Sequence, residues 1–204
     1  MTSPGIPLWR QLQAAAAVLA AVKAGQSATV AITDVVPDLR PAAQALAYQT
    51  LRQLGRAEAL RHQLARRAPP PAVDALLCTA LALAWNPDDA PYEVFTLVNQ
   101  TVEAAKHDPQ CRRQAGFVNA CLRRFLRERD ALVAATDANP VARWNHPRWW
   151  IDRLRARTMS AEKMAVKIAE DKRPLADVVR ENAGFEVSDD MIAQIEALKA
   201  TGEK

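Results

Sequence analysis

An all-α bundle is the fold class this sequence predicts, and three observations predict it. Glycine is scarce, at 6 of 204 residues, while alanine recurs throughout. Few stretches alternate apolar with polar residues at period two, so the helical template outscores the strand template nearly everywhere. The 13 prolines fall where helices should start and stop.

Taken in order, Pro7 suits the first turn of a helix running to Gly25, because its missing N–H would be unpaired there anyway. Pro41 opens a second helix through Ala45, Leu46 and Leu51 toward Gly55, where a further segment continues to Arg67. Pro69, Pro70 and Pro71 stop that segment and start another. Its apolar positions Val73, Leu76, Leu77, Leu81 and Leu83 are dense enough for burial on most sides, and Asn86-Pro87 ends it. Pro91 to His107 reads as the next helix, with Val94, Leu97, Val98 and Val102 at helical spacing. Pro109 opens the longest helix, to about Ala135, and a Trp-rich segment follows from Pro140 to Arg157. The tail predicts helices near 160–171, 174–183 and 189–200, with Ser188 as N-cap of the last and Asp189 and Asp190 at its positive end.

Composition divides the chain. Residues 1–157 hold eighteen Arg and two Lys against thirteen Asp and Glu, a balance of +7, whereas residues 158–204 prefer Lys to Arg and balance to −3. All five Trp precede the break. We expect a body at 1–157 and a short helical tail of unrelated composition at 158–204. The N-terminus lacks the basic region and small-residue cleavage site of a signal peptide, and the apolar run Ala14 to Val22 is too short to span a membrane. A cytoplasmic protein is expected, and three widely spaced cysteines, none in a Cys-x-x-Cys pair, fit a reducing compartment.

Reactive machinery is not readable. His62, His107 and His146 are isolated, with no metal-binding pair, and the glycines are too far apart for a phosphate-cradling loop. Cys78, inside an apolar helix, and Cys121, beside Leu122 and Phe125, read as buried and inert thiols. No catalytic residue, cofactor or metal ion is expected.

The informative stretch runs from Pro109 to Arg129. On a helical wheel Arg112, Arg113, Arg123, Arg124 and Arg127 fall within about a third of the circumference, and Phe117, Val118, Cys121, Leu122, Phe125 and Leu132 follow on the opposite arc. Guanidinium forks engage two phosphate oxygens at once, and neutralising phosphates releases counterions, so these five arginines are the expected RNA contacts. The plainer alternative is an ordinary solvated face. Arg52, Arg56, Arg61, Arg66 and Arg67 extend the patch if they share its surface. Trp144, Trp149 and Trp150 are stacking platforms for bases or, as we prefer, packing residues.

Several segments resemble one family. Gly116-Phe-Val-Asn-Ala-Cys-Leu-Arg-Arg124 is similar to a helix of NusB-like domains, Leu97 to Lys106 to the helix before it, and Ala75 to Leu81 to the buried central helix. With Asn145 to Leu154 added, residues 8 to 156 resemble the region preceding the catalytic domain in bacterial enzymes that methylate C5 of a cytosine in small-subunit ribosomal RNA. The resemblance implies an all-helical RNA-binding fold. It also implies that the S-adenosylmethionine-binding half is absent, since no glycine-rich turn after a strand and no Pro-Cys dipeptide occurs. Within the shared motifs, Asn99 and Asn119 read as scaffold amides bridging helices, and Gly116 as a point of close helix approach.

The resulting expectation is an RNA-binding module without catalytic activity of its own, whose partner is small-subunit ribosomal RNA. The alternative is a regulatory module of the transcription-antitermination type that docks a protein through its Trp-rich segment and acidic tail.

Overall fold

The computed structural model describes residues 5–156 and, beyond them, residues 177, 188, 189, 192 and 193. Two compact units emerge, Met1–Arg148 and Trp149–Lys204. The tail helices expected near 160–171, 174–183 and 189–200, and the composition break at 157/158, lie outside the described residues. Ser188 is described: its carbonyl accepts the N–H of Ile192 at 3.2 Å, one helical turn onward.

The first unit is built of helices α1 (Leu8–Lys23), α2 (Ala28–Thr33), α3 (Arg40–Arg52), α4 (Leu54–Leu64), α5 (Pro71–Ala84), α6 (Val94–His107), α7 (Ala115–Thr136) and α8 (Pro140–Trp144). No strand occurs among the described residues, and no helix there is long and apolar enough to cross a membrane. The proline boundaries hold to within a few residues at Pro7, Pro41, Pro71 and Pro91, whereas α7 begins at Ala115, well past Pro109. At the end of α1 the chain reverses through Gly25 at φ +100°, where the Gly25 N–H reaches the Val22 carbonyl and the Gln26 N–H reaches that of Ala21, both at 3.0 Å. That bond pair satisfies two carbonyls otherwise left open, and its left-handed residue favours glycine.

Helix α2 is short and was not legible from periodicity. It starts because the Ser27 hydroxyl accepts the Val30 N–H at 3.2 Å. Helix α6 starts at Val94 rather than Pro91, where the Glu93 carboxylate accepts the Thr96 N–H at 2.9 Å.

The core surrounds α5, every residue of which from Val73 to Ala84 is buried. Helices α1, α3, α4 and α6 pack against it, with α7 laid across α4 and α6. Leu12 and Leu19 of α1, Leu60 of α4, Leu97 of α6, and Leu122 and Phe125 of α7 close the core with essentially no exposure. Burial of this kind contributes about 25 cal/mol per Å² of apolar surface. The segment expected as one piece from Pro140 to Arg157 is broken. Helix α8 ends at Asn145, in the left-handed region at φ 52°, before residues 148–156 resume helical geometry.

Candidate nucleic-acid interface

The residues from Asp108 to Gln114 do not continue a helix from Pro109. The Asp108 side chain accepts the Gln110 N–H at 2.7 Å, and its carbonyl accepts the N–H groups of Cys111 and Arg112. These bonds shape a turn that leads into the 3-10 segment Arg112–Gln114. Arg112 and Arg113 therefore ride on a separate turn ahead of α7, and their wheel positions do not carry over. Both are exposed. On α7 itself, Val118, Cys121, Leu122 and Phe125 face the core, while Arg123 and Arg127 are exposed on the far side. Among the described residues no ion pair engages Arg112, Arg113, Arg123 or Arg127.

Arg124 differs. It is half-buried, its Nε lies 3.0 Å from the Glu128 carboxylate, and its terminal nitrogen donates to the Gln63 carbonyl at 3.4 Å. At Glu128 the helix bends through φ −115°, ψ 15°, and beyond the bend Arg129 pairs with Asp130. Phe117, assigned from the wheel to the buried arc, is 38% exposed on the α7 surface.

Two of the arginines considered as extensions of the patch are structural. Arg56 is buried, stacks on the Trp85 ring at 5.0 Å, and donates to the Val133 carbonyl, the Thr136 hydroxyl and the Asp137 carboxylate. Arg61 forms an ion pair at 2.8 Å with Asp74, whose other oxygen takes the Lys23 ammonium at 2.6 Å; Lys23 also reaches Glu58 at 2.7 Å. Asp74 lies on α5 among apolar neighbours, so two cations hold one carboxylate that water barely reaches. Burial opposes the Lys23 charge, yet the hydrogen bonds to Asp74 and Glu58, with the negative charge around it, lift its pKa above the usual lysine value. Arg52, Arg66 and Arg67 stand exposed. Sequence reasoning missed the Lys23–Asp74–Arg61–Glu58 cluster, whose one signal was a carboxylate inside an otherwise apolar run.

The three cysteines are buried and free. Desolvation first, and then the Asp74 carboxylate, push the Cys78 thiol up to about 12. Cys111 is likewise pushed to about 12 by burial and Asp108, and Cys121 is raised by burial. None has thiolate character near neutral pH. Among the described residues no cluster of His, Cys, Asp and Glu fits a metal ion.

Between α6 and α7 lies an open groove of about 340 Å³ lined by Asn99, Val102, Glu103, Lys106, Ala115, Gly116 and Asn119. It corrects two expectations. Asn99 is exposed and Asn119 half-buried, and neither amide bridges helices. Around Gly116 a Cβ would meet no atom within 4 Å, so close helix approach does not require glycine there. A glycine inside a helix costs about 1 kcal/mol relative to alanine, and asparagine about 0.5 kcal/mol. Glu103 is engaged by Lys106 at 2.7 Å, which holds its carboxyl below the usual range. Elsewhere, Trp144 is 54% exposed with Arg143 stacked over it at 5.1 Å, and Trp149 is 65% exposed, so the expected packing role does not describe them.

Compared with known protein families, residues 10–127 match the NusB family. Two curated relatives are similar. A ribosomal RNA small subunit methyltransferase B of Vibrio cholerae is 26% identical over 166 residues, covering 79% of this chain and 38% of that protein. A probable ribosomal RNA small subunit methyltransferase B of Coxiella burnetii is 27% identical over 133 residues, covering 64% of this chain and 30% of that protein. The chain thus spans about a third of the length of these relatives.

Proposed function

This chain belongs to the NusB family, and from that premise we propose that it is an RNA-binding module equivalent to the N-terminal region of a small-subunit ribosomal RNA cytosine methyltransferase, working in the cytoplasm and performing no methyl transfer by itself. The observation that carries this reading is the set of exposed guanidiniums of Arg112, Arg113, Arg123 and Arg127, which form no ion pair among the described residues. The backbone of Arg123 and Arg127 is pinned by Val118, Leu122 and Phe125, which are wholly buried, and that of Arg112 and Arg113 is held by the turn at Asp108. An anchored helix spares the cations the ordering cost that a loop would incur on binding. Arg124 is the fifth contact, and it must leave Glu128 to reach a phosphate.

The four free guanidiniums alone, with Arg124 still held by Glu128, give single-stranded RNA a log–log salt slope of about −3, or about 0.7 per contact. Arg123→Gln combined with Arg127→Gln should weaken binding and bring the slope to about half that value, read by fluorescence anisotropy across a salt series. An affinity indifferent to salt, or unchanged in the double variant, overturns the proposal. The exposure of Trp144 and Trp149 favours a second reading, in which the chain docks a protein; a partner retained at high salt supports that reading instead.

A further inference from the structure

We propose that the groove between α6 and α7 receives one unstacked nucleobase of the bound RNA, read by the carboxamides of Asn99 and Asn119 beside the bare backbone of Gly116. The inference rests on the RNA-binding reading above and assigns a subsite that phosphate contacts alone do not provide. Three residues of poor helix propensity, Asn99 inside α6, Gly116 in the first turn of α7 and Asn119 in its second, converge on one groove. None repays the chain internally: the two amides make no bridge between helices, and no neighbour crowds the glycine. An external ligand accounts for all three together.

The chemistry selects the ligand. A carboxamide presents a carbonyl acceptor and an amino donor side by side, the pattern that matches a nucleobase edge with two hydrogen bonds. Sequence-specific contacts to RNA fall on unstacked bases, whose edges are free to be read in this way. Lys106 and Glu103 at the same groove satisfy one another, so they add little net charge and leave recognition to the amides. Val102 and Ala115 supply apolar surface for the face of a ring. The exposed Arg112 and Arg113 lie on the turn immediately before Ala115, and Arg123 lies one helical turn beyond Asn119, so phosphate contacts flank the subsite along the chain.

The test measures anisotropy of the full chain with single-stranded homopolymers of adenine, cytosine or uracil about ten nucleotides long. We expect the unaltered protein to prefer one homopolymer by about 10-fold, as one bidentate contact provides. Asn99→Ala with Asn119→Ala should abolish that preference and leave the salt slope intact. Gly116→Ala should hold Tm or raise it by up to about 3 °C while eroding the preference. Equal binding of all three homopolymers, a preference that survives the double asparagine change, or a lower Tm for Gly116→Ala overturns the groove assignment. Those outcomes leave the phosphate reading standing, provided Arg123→Gln and Arg127→Gln still flatten the salt slope. No binding to any RNA overturns both.

Discussion

Gly55 and Gly116 both sit on helices, in opposite circumstances. A Cβ at Gly55 would stand 2.5 Å from the Val141 carbonyl oxygen and 3.1 Å from its carbon. Backbone cannot swing aside as a side-chain tip does. Gly55→Ala should therefore lower stability by about 2 kcal/mol in a thermal melt, despite alanine's better helix propensity. It should also loosen α8, because Asn145 at the end of that helix accepts the Arg56 N–H at 3.0 Å and donates to Gln53 at 2.9 Å. The sequence reading assigned close approach to Gly116 and treated Gly55 as a boundary. Helical spacing tells which face a residue occupies, and says nothing about how near the next helix runs. The same blindness left open whether Arg56 and Arg61 share the arginine surface, and they do not: Trp85, Asp137 and Asp74 receive them.

Between elements, the fastening that joins α1, α4 and α5 is electrostatic and has a pH signature. Lys23 titrates higher in the folded chain than when unfolded, so its contribution is complete below its unfolded value of 10.5 and disappears as pH rises through the folded one. Cys78 acts in the same direction but from a lower pH, since an unfolded thiol ionises near 9.0 while the buried one resists to about 12. Melting temperature should accordingly be level around neutrality and decline above about pH 9. Cys78→Ala should remove part of the early decline and Lys23→Met part of the later one, with each variant compared against its own value at neutral pH. An alkaline limb identical in all three proteins would contradict the assignment. At this scale the helices themselves were largely legible, because prolines and apolar periodicity are local. Helix α2 was not: it has six residues, of which Thr29, Val30, Ile32 and Thr33 are β-branched, and it depends on the Ser27 cap. The bend at Glu128 and the turn at Asp108, which that residue's carboxylate and carbonyl both hold, do not show in apolar periodicity either.

For the molecule as a whole, the all-helical class and the NusB family were both accessible from the order and spacing of a few segments. What was not accessible was the pairing of charges across helices, which removes Arg56 and Arg61 from the free surface arginines. Among the described residues four of the five expected contacts have no ion pair, and the fifth, Arg124, is held by Glu128 one turn onward in the same helix, a pair whose spacing was open to reading. Titration with S-adenosylmethionine in a calorimeter should give no heat; micromolar binding would show that the chain carries methyl-donor chemistry after all. One further consequence follows from α5 being enclosed by its neighbours. A rod with no outward side has no vocabulary for addressing another molecule, so inherited changes along Val73–Ala84 would alter how much of the protein a cell retains, and leave unaltered which molecules the surviving copies recognise.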